Sequence, residues 1–403
     1  MNRAPSPFTQ TNGPARYADF AELAAAGPVQ KTVLFTGVPV WLVTGHAEVR
    51  HVLAHPDIAK QNRGGPHIDR IPAELNAAQN THMLTTNPPD HTRLRRLVTA
   101  AFTRRRIDGL APRIQEIADG LLEEMAKTAA AGGRVDLVAD FAYPLPIEVI
   151  CELLGVPSEY RKRFRAWSHI AVNGSAHPAD TYIDNVRQLV DFVKDLVALK
   201  RANPSDDLLS ALISVRDGGD RLSEDELTSM VKLLLVAGHE TTASAIALGM
   251  NALLRHPEQL RSLRDEPERM RDAVEELLRY DSPLHVAIPA VTTAPVTVGG
   301  TTIPQGEVVV AVLSTANRDP SLFEDPARLD ISRDNAAANL AFGHGIHHCL
   351  GAPLARLEVR LALTSLLARF PDLRLADAAG EPPREPALLV NTLTELPVLL
   401  LDG

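Results

Sequence analysis

The chain has 403 residues, of which 45% are hydrophobic and 23% are charged, and its formal net charge is −9. The ordinary apolar content excludes a disordered or fibrous protein, and the acidic balance disfavours a nucleic-acid binder, which needs a basic surface to meet phosphates. The two cysteines, Cys151 and Cys349, cannot make a disulfide framework, so a reducing compartment is expected. The N-terminus lacks a secretory signal pattern, and no run reaches the roughly 18 apolar residues of a membrane helix. We therefore expect a cytoplasmic protein with no membrane contact.

The first predicted elements are two strands and a helix, followed by a loop. Thr36-Gly37 between two apolar runs is a hairpin signal, and Pro56 ends the helix pattern. The stretch that follows contains Gly64-Gly65 and lacks sustained periodicity, which is typical of a long loop or lid. The predicted elements are Val29–Phe35, Val38–Val43, His46–Leu53 and the loop Gln61–Asn87.

Helical patterns dominate from Pro89 to Arg279, and one of them is unusually long. Ser223 and Glu226 have the spacing of a capping box, and no proline follows until Pro257. A helix from Ser223 to Arg255 would be about 50 Å long at 1.5 Å per residue. It is long enough to cross a whole domain.

The last third of the chain adds short strands. Val296–Val298 and Val308–Leu313 are predicted strands, and Val390–Leu400 is predicted to form a closing hairpin. No linker or change in composition divides the chain. The sequence therefore predicts a single large domain over residues 1–403, mainly α with small β-sheets at its edge and a long central helix.

The segment Phe342–Gly351 carries the strongest chemical signal. Cys349 stands just before a predicted helix, Ala352–Phe370, and the positive end of that helix dipole favours thiolate over thiol. Gly343, Gly345 and Gly351 would let the backbone turn tightly and approach a flat ligand. A thiolate in such a loop can hold haem iron.

Two other interpretations of this segment are weaker. One is an inert cysteine buried in a glycine-rich turn. The other is a zinc site built from His344, His347, His348 and Cys349. Adjacent residues seldom converge on one tetrahedral ion, and the sequence offers no second Cys/His cluster, so zinc is disfavoured.

The segment resembles the haem loop of the cytochrome P450 superfamily, in its soluble bacterial form. The resemblance implies a haem b cofactor whose iron has Cys349 as its axial ligand. It spans nearly the whole chain, and the accompanying motifs occur in the family's order. All six positions of the family's loop agree: Phe342, Gly343, Gly345, His347, Cys349 and Gly351.

The resemblance assigns catalytic roles to the middle of the long helix. Glu240 and Thr241 match the acid and alcohol that relay protons beside the iron, and Ala237 and Gly238 would lie against the haem. Gly238 costs about 1 kcal/mol relative to Ala in a helix interior, so close approach of a ring or of dioxygen is an expected compensation. Without the resemblance, Glu240 and Thr241 would be an ordinary polar stripe on a helix.

Further matches concern the haem propionates and the core. His91 and Arg95 share a helix face, and the resemblance places both of them, with His347, on the propionates. The family commonly has an arginine for a propionate where this chain has Ala290. Glu276 and Arg279 form an E-x-x-R pair, which the family joins to a later arginine, here Arg333.

The function implied is a haem-thiolate monooxygenase of secondary metabolism. It would insert one atom of dioxygen into a lipophilic small molecule, with electrons from NAD(P)H delivered by a ferredoxin and its reductase. A non-catalytic haem sensor or carrier is the alternative, and Glu240 with Thr241 argues against it; a peroxygenase would often lack that pair. Substrate contacts are implied near Met83-Leu84, Leu233–Ala237, Leu284–Ile288 and Leu393-Thr394, all mainly apolar.

A basic segment is the candidate docking site for the electron donor. It combines arginines before and after the cysteine loop, and the resemblance places both groups on the thiolate side of the haem. Acidic ferredoxins would be attracted to such a surface. The arginines are Arg93, Arg95, Arg96, Arg104, Arg105, Arg106, Arg356 and Arg360.

Overall fold

The structure is a computed structural model that describes residues 6–60, 70–157, 160–172, 174, 177–215 and 220–400. The chain forms two compact units: unit 1 holds residues 1–59, 115–144 and 241–403, and unit 2 holds residues 60–114 and 145–240. Helices predominate in both, and the strands are short. The predicted class, mainly α with small β-sheets, is confirmed.

Most helices of unit 1 come from the C-terminal part of the chain. Pro353 lies in the first turn of the helix after Cys349, where its missing N–H costs nothing, and Gly351 is the N-cap. Numbered in chain order, the helices are α1 (Gly13–Ala25), α2 (His46–Ala54), α6 (Ala111–Ala130, from Gln115 onward), α12 (Glu240–Arg255, from Thr241 onward), α13 (Pro257–Asp265), α14 (Met270–Tyr280), α15 (Leu313–Ala316) and α16 (Ala352–Arg369).

All the described strands belong to unit 1. The largest sheet has the order β1-β2-β8-β5-β3, in which β1 and β2 form the predicted hairpin and β2 runs parallel to β8 with Trp41 opposite Val309. The strands are β1 (Val29–Val33), β2 (Pro39–Val43), β3 (Ile58–Ala59), β4 (Val135–Asp136), β5 (Ala290–Thr292), β6 (Val296–Val298), β7 (Thr301–Ile303), β8 (Val308–Ala311), β9 (Arg374–Leu375) and β10 (Pro397–Leu399).

The predicted hairpin at Val390–Leu400 is wrong. Only Pro397–Leu399 forms a strand there, and it pairs with β4 and β9, far apart in the sequence. An apolar run does not reveal its partner when the pairing is not local. The prediction for Val308–Leu313 is also too long, because Leu313 begins α15.

The regular elements of unit 2 are helices, as far as its residues are described. Its small core includes Ile71, Ala78, Val186 and Val190, which pack where α3, α9 and α11 meet. The helices are α3 (Ala73–Asn80), α4 (Asp90–Ala101), α5 (Arg104–Gly109), α7 (Pro144–Leu154, from Leu145 onward), α8 (Arg161–Val172), α9 (Ala179–Ala202), α10 (Leu208–Ser214) and α11 (Glu224–Ala237).

The predicted long loop at Gln61–Asn87 is partly wrong. Residues 61–69 lie outside the described residues, but α3 occupies Ala73–Asn80. This short helix packs against α11 and α9, so tertiary contact stabilises a segment whose own pattern is weak.

The long helix is present in two parts. Ser223 and Glu226 form the predicted capping box, but helical hydrogen bonding is interrupted at Gly238 and His239, between α11 and α12. Among the described residues, one helical stretch, Glu224–Arg255, is long and apolar enough to cross a membrane by length and composition. Because 67% of its apolar window is buried inside the protein, a core helix accounts for it equally well.

Candidate active site

The two cysteines of the chain have opposite environments. Cys349 is exposed, whereas Cys151 on α7 is completely buried. The backbone N–H of Cys349 donates to the carbonyl of Phe342 at 2.9 Å, which closes the loop on itself. Cys349 lies three residues before Ala352, the first residue of α16, so the helix dipole favours its thiolate. An exposed thiol held this way can act as a ligand.

Glycines shape this loop at two positions. Gly343 and Gly345 have φ values of +71° and +74°, a left-handed conformation that side chains disfavour. A Cβ on Gly345 would also lie 2.7 Å from the carbonyl oxygen of Leu53 on α2, so the loop is pressed against that helix. Gly351 differs from the prediction: its φ is −80°, and a Cβ there would meet only Cys349 Sγ, at 3.9 Å. Backbone strain therefore does not explain Gly351.

The start of the loop is fixed by stacking. The guanidinium of Arg356 on α16 lies 4.3 Å from the ring centroid of Phe342 and forms an ion pair with Glu275 on α14. A cation over an aromatic face is attractive, particularly when it is partly desolvated. Arg356 thus attaches Phe342, the first residue of the loop, to α16.

Behind the loop, the predicted E-x-x-R network is confirmed. Arg279 binds Glu276 through two hydrogen bonds of 2.6 and 2.8 Å, and both side chains are fully buried. Arg333 adds a contact of 3.2 Å to the same carboxylate. Breaking a buried pair of this kind typically costs about 3–5 kcal/mol because it strands a charge. The network is therefore structural support for the core of unit 1.

The donor set of this loop suits a metal whose other ligands are not protein. Within the described residues, no three His, Cys, Asp or Glu side chains come together as a protein metal site requires. A single exposed thiol, with tight glycine turns beside it, instead fits an ion already held by a flat macrocycle such as haem. The residues of the loop therefore fit the implied cofactor, with Cys349 as the protein ligand.

Unit 2 holds the other predicted cofactor residues. His91 and Arg95 lie one turn apart on α4, where His91 is buried and Arg95 is half-buried. Burial, and secondarily the charge of Arg95, lower the pKa of His91 below its usual value. A neutral His91 beside a cationic Arg95 can offer a hydrogen-bond donor and a positive charge to one carboxylate.

The junction of α11 and α12 is tight at Gly238. A Cβ there would lie 2.8 Å from Cδ1 of Ile150 on α7. The expectation that a ring or dioxygen explains this glycine is thus incomplete, because a protein side chain already fills the space beside it. Ala237, its neighbour, is exposed.

Glu240 is buried in a polar cluster that sequence reasoning did not identify. Ser168 on α8 lies 2.9 Å from Nε2 of His239, and its hydroxyl is 3.3 Å from Oε1 of Glu240. His239 is completely buried, and its Nδ1 lies 3.0 Å from the carbonyl oxygen of Leu235. Thr241 follows at the start of α12 and is half-buried. This cluster can hold and pass a proton at Glu240.

These partners leave little signal in the sequence. His239 belongs to an incomplete H-E-x-x-H pattern, which fails because residue 243 is Ala. Ser168 lies far from Glu240 in the chain, so only the packing of α8 against α11 brings them together. A buried histidine next to an acid is the one local hint.

Some arginines of the predicted basic segment form ion pairs within the protein. Arg93 forms ion pairs with Glu226 and Asp220, and Arg356 is committed to Glu275 and Phe342. The expectation that Arg93 is free for a partner is therefore wrong, and Arg356 is engaged within unit 1. Arg96, Arg104 and Arg105 are exposed on α4 and α5.

Comparison with known proteins identifies the family. A sequence model of the cytochrome P450 family matches residues 19–167 and 176–396. The chain therefore belongs to the cytochrome P450 family. The matched residues include the Cys349 loop and the E-x-x-R pair.

Individual relatives cover nearly all of the chain. It is 46% identical to vitamin D(3) 25-hydroxylase of Pseudonocardia autotrophica over 394 residues, which are 98% of this chain and 94% of that protein. It is 46% identical to the cytochrome P450 monooxygenase PikC of Streptomyces venezuelae over 384 residues, or 95% and 90% of the two chains. The solved structure of tirandamycin C-bound P450 monooxygenase TamI is similar, with a TM-score of 0.85, 40% identity and coverage of 97% and 98%.

Family membership defines the reaction. The protein is a haem-thiolate monooxygenase that inserts one atom of dioxygen into a lipophilic small molecule. Its cofactor is haem b, and NAD(P)H acts through redox partners. The predicted enzyme class and cofactor are confirmed, and the non-catalytic carrier is not supported.

Proposed function

We propose that Cys349 is the axial thiolate of the haem iron. The observation that carries this assignment is that Cys349 is exposed in the loop Phe342–Gly351, directly before α16, whereas Cys151 is buried. Haem bound there supplies the activation of dioxygen. The loop supplies a ligand whose negative charge is favoured by the helix terminus and whose position is fixed by the bond to Phe342.

The family resemblance supports the remaining cofactor contacts, each taken on its own element. In the cysteine loop, Phe342, Gly343 and Gly351 would contact the haem, and Ala237 with the following Gly238 would do so at the end of α11. His91, Arg95 and His347 would hold the propionates. Because the pKa of His91 is lowered, His91 serves as a neutral N–H donor and Arg95 supplies the charge.

Glu240 and Thr241 would be the proton-donating residues where the haem supplies dioxygen activation. Leu235 O can only accept, so Nδ1 of His239 carries the proton of that bond, and Nε2 lies at 2.9 Å from the hydroxyl of Ser168. The same hydroxyl can donate to Glu240. His239 and Ser168 therefore supply Glu240 with protons, and Thr241 is the hydroxyl next to it in the chain.

The electrons come from a separate ferredoxin and its NAD(P)H-dependent reductase in the cytoplasm. Arg96, Arg104 and Arg105 are exposed and would attract an acidic partner despite the overall charge of −9. We take the chain as one haem-thiolate domain over residues 1–403, because the family match includes segments of both units.

The substrate is a lipophilic molecule of medium size from secondary metabolism. Met83 and Leu84 follow α3, and Leu233–Ala237 form the last turns of α11; both stretches are apolar and belong to unit 2. In unit 1 the corresponding stretches are Leu284–Ile288 and Leu393-Thr394. The relatives named above include a vitamin D(3) hydroxylase and an enzyme bound to tirandamycin C, consistent with a macrolide, terpenoid or steroid.

The decisive experiment compares the two cysteines. Cys349→Ala should abolish the red-shifted Soret band of the reduced carbon-monoxide complex, whereas Cys151→Ala should keep it. A band that survives Cys349→Ala would reject the assignment. Product formation that requires both dioxygen and reductant separates a monooxygenase from a carrier.

A further inference from the structure

A lysine lies in the apolar half of α11, and no acid among the described residues forms an ion pair with it. Lys232 directly precedes the apolar residues Leu233–Ala237, and its ammonium contacts Gln79 on α3, at 3.3 Å from the backbone oxygen and 3.2 Å from Oε1. Among the residues that the structure describes, no carboxylate pairs with it. Lys200, another poorly exposed lysine of unit 2, instead forms an ion pair with Asp207 at 2.5 Å.

The surroundings make this charge costly. Burial lowers the pKa of Lys232 to about 8, so the amine is desolvated yet mostly protonated at pH 7. The nearby His82 is buried, and burial, with a smaller effect of Lys232, lowers its pKa to about 3. His82 is therefore neutral, and no carboxylate of the described residues balances the positive charge of Lys232. A buried charge of this kind normally requires a partner.

The ammonium also has hydrogen-bonding capacity to spare. It carries three N–H donors, and the two oxygens of Gln79 engage at most two of them. Lys232 is half-buried, so part of the side chain keeps accessible surface although the amine is desolvated. Leu233, Leu234 and Val236 are also half-buried, so apolar surface continues along the helix from the charge.

The position of the cluster connects it to the substrate. His82 immediately precedes Met83-Leu84, and Gln79 lies four residues before Met83. Lys232 immediately precedes Leu233–Ala237, and the proposed function assigns both stretches to substrate contact. Lys232 also lies two helical turns before Glu240, which corresponds to about 12 Å along the axis. A molecule anchored at Lys232 would extend along apolar surface toward the acid.

We propose that Lys232, with Gln79 and His82, binds the carboxylate of a lipophilic substrate, so that the enzyme prefers acids over neutral molecules of the same skeleton. This inference rests on the proposed function, because it names the substrate class of that same site. A carboxylate would accept a hydrogen bond from the remaining N–H of Lys232 and neutralise its charge. Such a charge-assisted hydrogen bond is stronger than one between neutral groups.

The test measures selectivity by isothermal titration calorimetry on the holoenzyme. The probes are decanoic, dodecanoic and tetradecanoic acids and the corresponding primary alcohols. Wild type should bind at least one acid about tenfold or more tightly than its alcohol, the range expected for a charged hydrogen bond. In Lys232→Gln, which can keep the contact with Gln79, that ratio should fall to near one, and Lys232→Arg should restore it in part.

The exposed Lys194 on α9 supplies a matched control, since Lys194→Gln removes the same charge and should leave the ratio unchanged. A purely structural Lys232 would weaken acid and alcohol equally. An unchanged ratio in Lys232→Gln, or no preference for any acid in wild type, overturns the proposal. The carbon-monoxide band, recorded on the same samples, distinguishes this failure from failure of the proposed function: if the band is present, only the carboxylate site is rejected.

Discussion

The hydroxyl of Ser168 lies 2.9 Å from Nε2 of His239, in the buried interior of unit 2. The same hydroxyl is 3.3 Å from Glu240, so it is the bridge between a base and an acid. Neither partner can exchange protons with bulk water directly, because His239 and Glu240 are both buried. We propose that the bridge passes protons between His239 and Glu240.

Removing that bridge should slow proton delivery without disturbing the cofactor. Ser168→Ala should lower product formed per NAD(P)H consumed by roughly five- to tenfold, the value of about one hydrogen bond. Ser168→Thr should retain most of the coupling. Ser210→Ala, which removes a different buried hydroxyl of unit 2, should behave as wild type. Unchanged coupling in Ser168→Ala would remove Ser168 from the relay.

Gly238 should be intolerant of a methyl group for a packing reason. The added Cβ of Gly238→Ala would meet Ile150, and overpacking of this kind costs about 1–3 kcal/mol in the free energy of unfolding. Ile150→Val in the same chain should recover part of the loss.

The control is Gly249→Ala on α12. The nearest atom to its Cβ would be Leu277 Cδ1 at 3.4 Å, an ordinary contact, so helix propensity should raise stability by about 1 kcal/mol. Thermal unfolding of the holoproteins measures both changes. If the two glycines respond alike, Ile150 does not explain Gly238.

Contacts between neighbours in the chain could be predicted from the sequence, whereas contacts between distant segments could not. The capping box of Ser223 and the closure of the Cys349 loop on Phe342 depend on neighbours in the chain, and the capping box was predicted correctly. The pairing of Pro397–Leu399 with β4 and β9, the helix Ala73–Asn80 and the bond between Ser168 and His239 depend on distant segments. Spacing along the chain contains no information about such contacts.

Glu358 on α16 should make stability depend on pH. It is fully buried, burial raises its pKa well above the usual value, and its Oε2 has no hydrogen-bond partner among the described residues. The folded state therefore holds a proton that the unfolded state releases above about pH 4.5. Stability should fall as pH rises from there toward the folded pKa, by up to about 1.4 kcal/mol per pH unit.

Glu358→Gln removes the titratable carboxyl group and keeps the shape of the side chain. Chemical denaturation at several pH values should show the variant gaining on wild type as pH rises to 8, with little difference near pH 4. Glu258→Gln, at an exposed site on α13, should leave the pH profile unchanged. Parallel profiles for wild type and Glu358→Gln would mean that Glu358 ionises normally.

Thr241→Ala should uncouple electron consumption from product formation. Haem content and substrate affinity should stay as in wild type, because Thr241 is proposed to act on bound oxygen. Electrons should then leave as hydrogen peroxide and water, measured as the ratio of product to NAD(P)H. The adjacent Thr242, which is buried, provides the matched control Thr242→Ala. Equal coupling in both variants would make Thr241 an ordinary helix residue.

The exposed arginines should steer the electron donor. Arg96 lies on α4 and Arg104 at the start of α5, where its side chain is 91% exposed and its contact with Asp108 is a weak surface pair. Reversing both charges should slow first-electron reduction by an acidic ferredoxin at low salt and flatten the dependence on ionic strength, since charges are screened beyond about 10 Å at 0.1 M.

Stopped-flow reduction of wild type and of Arg96→Glu with Arg104→Glu measures this effect. Arg187→Glu with Lys194→Glu introduces the same change in net charge on exposed positions of α9, and it separates local docking from the overall field. If the ferredoxin docks at α4 and α5, the variant with Arg96→Glu and Arg104→Glu should be reduced more slowly than the variant with changes on α9. Only the former loses attraction at the contact itself. Equal rates for the two charge-reversed proteins would place the ferredoxin elsewhere.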